Sequence, residues 1–253
     1  MLLGFLLVLT AVGGIALFAL KPAWFPLAIT SDAVSWDHQF HRTLLIAGLI
    51  FATAQILLAW TIVRRRRAAP VVPREPLWLE IGWTTATAAI FLTLAAAGSR
   101  GWAKVPGHNP GEETIQVYAH QFAWNFRYPG PDGHFGRTAN KFISDSGGNS
   151  FGIDPADPDG KDDIVTASLR IPAGRDVLLL LHSRDVIHDF FVRELRTKQD
   201  IVPGMEIPLE IHVDRPGQYE IACAELCGLG HSQMRSLFIV MPSGEYDAWK
   251  RAR

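Results

Sequence analysis

The stretch Cys223-Ala-Glu225-Leu-Cys227-Gly-Leu-Gly-His231-Ser-Gln-Met234 decides how the rest of the chain is read. It has the form C-x-E-x-C-x3-H-x2-M and holds both cysteines of the protein. Thiolate, imidazole and thioether are soft donors of the kind copper takes in electron-transfer sites. One Cys, one Met and two His would make a mononuclear blue-copper centre. A second Cys, four residues from the first, adds another thiolate. Two thiolates on one loop can bridge two copper ions, with one imidazole capping each. His231 is the cap inside the loop. His188, 35 residues before Cys223 and at the start of a strand-like run, is the other. Met234 and a backbone carbonyl can fill the weak outer positions. A disulfide between Cys223 and Cys227 is the first alternative, permitted outside the cell, but it leaves His188, His231 and Met234 unexplained. A single structural zinc is the second, and Met is a poor zinc ligand. His182 rivals His188 but lacks the position at a strand start.

Around the motif the chain reads as β-structure. Strand-type runs cover Thr114–Phe126, Ile164–Ile171, Asp176–His182, His188–Arg193, Glu206–Val213, Gln218–Cys223 and Ser236–Met241. Pro172, Gly174, Pro203, Gly204, Pro216 and Gly217 punctuate them. Short strands with turn signals and no helical period predict an antiparallel sandwich or barrel. Glu245–Arg251 reads as a short closing helix. Residues 129–163 are rich in Gly, Asp and Pro, with Asp154, Asp157, Asp159, Asp162 and Asp163 crowded together. The spacing and closing Glu of a calcium loop are missing, so a solvated loop is expected.

The front of the chain differs in kind. Residues 1–101 carry 8 Lys/Arg and 4 Asp/Glu, net +4, whereas residues 102–253 carry 16 and 21, net −5. Residues 1–20 and 44–63 hold no charge, and 77–98 hold only Glu80. A helix needs about 20 apolar residues to cross the hydrocarbon, so all three runs qualify. The first is either a retained helix or a cleaved signal peptide; no Lys or Arg precedes its core and no Ala-x-Ala stands before Lys21, which favours the helix. Arg64–Arg67 and Arg74 place the loop between the second and third runs in the cytoplasm. Everything after about residue 101 then lies outside. The expected division is a membrane region over 1–101 and an extracytoplasmic domain over 102–253, joined by a Gly/Pro-bearing linker at 102–113. Glu80, about one turn into the third run, is either a snorkelling carboxylate or a proton-entry group facing a partner, since intramembrane carboxylates mark ion paths. A sequence pI near 6.8 argues against a general nucleic-acid binder.

With these residues in place the sequence resembles subunit II of the haem–copper cytochrome c oxidases. The likeness is carried by Asp185-Val-Ile-His188, Lys198-Gln-Asp200-Ile-Val-Pro203-Gly204, the C-x-E-x-C-x3-H-x2-M loop and Glu80-x-x-Trp83-Thr84, and it spans roughly residues 42–250. The resemblance implies two, here two or three, transmembrane helices before a cupredoxin-like Greek-key β-sandwich. It implies a dinuclear copper centre of the type called CuA, ligated by His188, Cys223, the Glu225 carbonyl, Cys227, His231 and Met234. It implies a magnesium ion reached by the Glu225 carboxylate at the boundary with subunit I, and a proton path opened by Glu80. The implied partners are the haem-bearing subunit I, other oxidase subunits, and cytochrome c or a similar donor. The implied setting is the bacterial plasma membrane, with the copper domain outside.

The sequence departs from the family at three places. The usual Gln-Trp-x-Trp run reads Gln121-Phe122-Ala123-Trp124, Arg184 stands where an acidic residue is common, and Met205 stands where a basic one is common. Electron entry is therefore expected beside Phe122 or Trp124, which would share one face of a strand with Phe126; a place in the sandwich core is the alternative for Trp124. Asp185, Asp189 and Asp200 are expected to steer a basic donor. Two rival functions stand beside the oxidase: the copper subunit of a membrane nitric-oxide reductase, and an anchored copper shuttle with no enzyme partner. Glu80 disfavours both.

Overall fold

The structure, a computed structural model, describes residues 2–20, 25–64, 76–102 and 113–253. Arg65–Arg67, Arg74 and most of the expected linker lie outside them. The chain forms two compact units: Met1–Leu27 with Ser35–Val105, and Ala28–Val34 with Pro106–Arg253.

The first unit is helical: α1 (Leu2–Ala19), α2 (Ser31–Arg64) and α3 (Leu77–Trp102). Helices α2 and α3 are long and apolar enough to cross a membrane, and α1 is a shorter apolar helix. Their apolar side chains face outward: Leu49, Ile50 and Leu57 on α2, and Trp78, Phe91 and Leu92 on α3, are all exposed. A water-soluble helix would bury one such stripe. Helix α2 starts 13 residues before the expected span at 44, because the Thr30 hydroxyl caps it by accepting the Ala33 N–H at 2.9 Å and nothing from 31 to 43 breaks a helix. Helix α1 runs antiparallel to α2: the Phe18 ring meets His41 at 6.1 Å, and Gly4 approaches Val63.

The second unit is a sandwich of two five-stranded sheets. Its strands are β1 (Glu113–His120), β2 (Ala123–Tyr128), β3 (Ile164–Thr166), β4 (Leu169–Pro172), β5 (Asp176–Ser183), β6 (His188–Val192), β7 (Thr197–Ile201), β8 (Ile207–His212), β9 (Gly217–Cys223) and β10 (Arg235–Met241). One sheet has the order β3-β2-β1-β5-β8 and the other β4-β10-β9-β6-β7. The expected sandwich is present, but its sheets are mixed: β1 pairs parallel to β5, and β10 parallel to β4. Parallel neighbours need a long crossover, and the stretches between these strands supply it. Two expected single strands are each broken in two. Residues 121–122 form a turn between β1 and β2, and β3 and β4 belong to opposite sheets.

Alternation builds the core. Ile115, Val117 and Ala119 of β1, Val177, Leu179 and Leu181 of β5, and Phe190 and Val192 of β6 are fully buried between the sheets. Ile29, before α2, joins them: its N–H donates to the Glu194 carbonyl and its own carbonyl accepts the Asp214 N–H, both at 3.3 Å. Helix α4 (Ser243–Arg251) closes one end, with Tyr246 buried and its hydroxyl donating to Glu113 Oε1 at 3.0 Å.

The 129–163 segment is the largely solvated loop its composition predicts, with Asp132, Asp145 and Asp159 exposed, but part of it is anchored inward. Two of its aspartates serve as internal acceptors: Asp157 takes the Arg137 N–H at 2.6 Å, and the buried Asp163 carboxylate pairs with the buried Arg127 of β2, whose Nη2 also donates to the Gly136 carbonyl at 2.6 Å. Spread out in this way, the carboxylates do not converge on a cation site among the described residues.

Candidate metal centre

Strand pairing gathers the predicted ligands. Strands β9 and β10 are antiparallel neighbours, and residues 224–234 form the loop between them. The loop closes where the Cys223 N–H donates to the Met234 carbonyl at 3.1 Å. Strand β6 pairs with β9, setting Phe190 opposite Cys223, so His188 at the head of β6 lies beside the loop. The side chains then form a chain of near contacts. Cys223 Sγ is 3.8 Å from His188 Nδ1 and 3.8 Å from Cys227 Sγ. Cys227 Sγ is 3.7 Å from His231 Nδ1 and 3.8 Å from Met234 Sδ. The Glu225 carbonyl lies 3.2 Å from Cys223 Sγ.

Two sulfurs at this separation are not a disulfide, whose bond is about 2.05 Å, and both cysteines are free. They are close enough for both to reach one ion at a metal–thiolate distance of about 2.3 Å. Among the described residues, His188, Cys223 and Cys227 are the group of His, Cys or acidic side chains able to share a metal. The thioether and the carbonyl extend that group with soft and weak outer donors. The donor set therefore fits copper, and its Met speaks against a structural zinc. His182 lies elsewhere, against Glu206 at 3.3 Å.

The surroundings prepare these donors. His188 is fully buried, and its Nε2 meets Asp185 Oδ1 at 2.8 Å. That partner fixes the proton on Nε2 and leaves the Nδ1 lone pair facing the sulfurs, as a metal-ligating imidazole requires. Burial alone would raise the Asp185 pKa, but bonds from the Gln121 N–H, His188 and the Val186 N–H outweigh it and hold the carboxyl below its usual range. Burial, and then the neighbouring Cys223, push the Cys227 thiol up to about 11. In the metal-free state that thiol keeps its proton, so a metal must displace it.

A second layer seats the loop. Gln121 Nε2 donates to the Cys227 carbonyl at 2.5 Å, and its backbone N–H donates to Asp185 Oδ2 at 2.7 Å. Gly228 has φ +138, and a Cβ there would come within 2.8 Å of Gln121 Nε2. A Cβ on Gly230 would lie 2.6 Å from the Phe122 ring. Phe122 thus rests on bare loop backbone, 40% exposed. It lies in the β1–β2 turn and so does not share a strand face with Trp124 and Phe126 as expected. Trp124 is 3% exposed, packs edge-on against Phe190, and donates its indole N–H to the Met234 carbonyl at 3.3 Å. It occupies the core place behind the centre.

Other expected residues fall differently. The Glu225 side chain is exposed, and Glu80 lies in the first turn of α3. Of the three acids expected to steer a donor, Asp185 is committed to Gln121 and His188. Asp189 is 5% exposed, its pKa pushed up to about 6 by burial and by Asp200. Asp200 is exposed, as is Asp185 despite those bonds. The roles of Asp185 and Gln121 as supports escape sequence reading, because their partners lie up to 106 residues away.

Comparison with known proteins follows the same lines. The family described as cytochrome c oxidase subunit II, periplasmic domain, matches residues 113–241. The chain is 33% identical to the alternative cytochrome c oxidase subunit 2 of Bradyrhizobium diazoefficiens, over 98% of this chain and 91% of that protein. It is 30% identical to cytochrome c oxidase subunit 2 of Synechocystis sp., over 90% and 75%. Among solved structures, the periplasmic domain of subunit II of the Bradyrhizobium japonicum oxidase is 23% identical, with TM-score 0.41, over 58% of this chain and 95% of that one. A chain of a haem–copper terminal oxidase dimer is 19% identical, with TM-score 0.40, over 64% and 98%.

Proposed function

The chain belongs to the cytochrome c oxidase subunit II family, and from that premise we propose that its sandwich holds two copper ions through His188, Cys223, the Glu225 carbonyl, Cys227, His231 and Met234. Held by these donors, such a pair would supply a one-electron store. As part of an oxidoreductase complex, the chain takes single electrons from cytochrome c or a similar external donor. It delivers them to the haems of subunit I, where dioxygen becomes water and protons are translocated. The observation that carries this reading is the convergence of two sulfurs, two imidazole nitrogens and a thioether in one chain of 3.7–3.8 Å contacts.

The residues have separable tasks. Cys223 and Cys227 would supply the thiolates. His188, held by Asp185, and His231 would supply the imidazoles. Phe122, exposed and seated on the metal loop, is the point of electron entry, and Trp124 packs behind the centre. The exposed carboxylate of Glu225 would be free to hold a magnesium ion at the boundary with subunit I. Glu80, in the α3 first turn where a helix favours negative charge, opens proton entry. Helices α2 and α3 anchor the chain in the bacterial plasma membrane, with the sandwich on the outer side.

The test is copper content and turnover. Wild type should bind two coppers per chain and be purple when oxidised, and Cys227→Ser should hold at most one. Two coppers in a Cys223/Cys227 double variant would sink the assignment. Glu80→Gln should slow steady-state oxygen consumption while copper content stays whole; unchanged consumption would reject the proton-entry role.

A further inference from the structure

The connection between β5 and β6 grips the β1–β2 turn with two adjacent side chains. Asp185 accepts the Gln121 N–H and meets the His188 ring. Arg184 reaches toward a different set of groups. Its Nη2 donates to His120 Nδ1 at 2.9 Å, its Nη1 donates to Asp145 Oδ1 at 2.9 Å, and its backbone N–H donates to the Ala119 carbonyl at 3.0 Å. His120 is 8% exposed, and its Nε2 lies 3.0 Å from the Asn125 amide. Asp145 sits at the tip of the 129–163 segment, where Ser144 and Asn149 bridge. Residues 119–121 are thus tied to Arg184 and Asp185, and the Gln121 amide ties them on to the metal loop. Phe122 follows directly, its ring on Gly228 and Gly230.

We propose that Arg184 is a positioning residue for electron entry: it clips the tip of the 129–163 segment, through Asp145, to His120 and so keeps Phe122 seated on the metal loop. The inference rests on the reading of Phe122 as the entry point. An arginine suits the task because its planar fork donates in two directions at once, whereas a lysine offers a single point charge. The Asp145 carboxylate is 51% exposed, and exposed pairs contribute little on their own. The contact with the buried His120 ring is the stronger half of the clip, and Asp145 aims the guanidinium. His120 accepts from Arg184 only while neutral at Nδ1. Burial first, and then the Arg184 charge, lower its pKa and keep it so, against the opposite pull of Asp145 and Asp185.

The experiment uses the full chain in the assembled, copper-loaded oxidase and flash-reduced cytochrome c as the donor. In the measured step one electron leaves the ferrous haem, which becomes ferric, and the copper site is reduced by one electron. Arg184→Ala should slow this step about tenfold or more, as misplacement of a contact by a fraction of an ångström does. Reduction by a small diffusible phenylenediamine, which needs no docking, and the copper content should stay as in wild type. Asp145→Asn should slow entry about twofold, in keeping with an exposed ion pair, and Asp145→Glu should restore it. In the metal-free protein, Arg184→Ala should quicken amide exchange at Gln121 by about tenfold, because local opening becomes easier. If Arg184→Ala fails to load copper, Arg184→Lys replaces it, and a wild-type entry rate there overturns the proposal. A wild-type rate in Arg184→Ala, with Phe122→Ala slow, overturns this inference alone. A wild-type rate in Phe122→Ala overturns the entry reading and this inference together.

Discussion

The helical unit and the sandwich draw on the same apolar residues and use them in opposite ways. On α3, Phe91 and Leu92 are 76% and 70% exposed, whereas Leu179 and Leu181 of β5 are fully buried. The sandwich supplies its own apolar partner, one sheet for the other. The helices have no such partner in water, so their outward residues need lipid or another protein chain. Apolarity alone therefore does not tell where a residue goes. The period does: unbroken runs longer than about 18 residues point to a span, and short runs punctuated by Gly and Pro point to strands.

The largest expected effect on stability probes the interior of the sandwich. Asp163→Ala leaves the Arg127 guanidinium buried without its carboxylate, and loss of one partner of a buried pair costs about 3–5 kcal/mol. Thermal and denaturant unfolding of the sandwich should shift accordingly. A loss under about 1 kcal/mol would mean that the pair behaves as a surface pair does.

Next in size is Ile29, the one core residue ahead of α2 among the described residues. Ile29→Ala should destabilise the sandwich by about 2–4 kcal/mol, the range for truncating a buried aliphatic side chain. Leu92→Ala, on the exposed face of α3, should leave sandwich unfolding unchanged. Equal effects from the two substitutions would erase the division between the units.

The smallest effect concerns charge at the sandwich edge. His212 lies between Asp176 and Asp214, and the bond to Asp176 leads in raising its pKa. Its contribution is full below the ordinary histidine value of about 6.5 and fades as pH rises through the raised folded value. The thermal midpoint should therefore slip as pH climbs from mildly acid to mildly alkaline, and Asp176→Asn should flatten that slope. A slope untouched by the substitution would locate the titration elsewhere.

The sequence made some of this legible. The loop from Cys223 to Met234 could be read because all but one of its donors fall within twelve residues, and His188 because it heads a strand. The sandwich was visible in its alternation. The parallel pairs β1–β5 and β4–β10 were not, because alternation shows which face a residue takes and not which strand lies beside it. The β1–β2 turn was hidden within an unbroken β-type run, so Phe122 was placed on the wrong face. The 129–163 segment looked solvated because its composition is that of a loop. Only Asp157 and Asp163 turn inward, to partners such as Arg127 that composition cannot supply.

The burial of Ile29 bears on how the molecule is made. This residue leaves the ribosome 86 positions ahead of Ile115, its fellow in the core, and α2 and α3 are synthesised between them. The sandwich can complete its core only after both helices have been made and only where residues 28–34 have been delivered to the same compartment. Closure of the domain therefore waits on both helices and on residues 28–34 reaching the side where the sandwich folds. A chain threaded the wrong way would leave a gap in the core where Ile29 belongs.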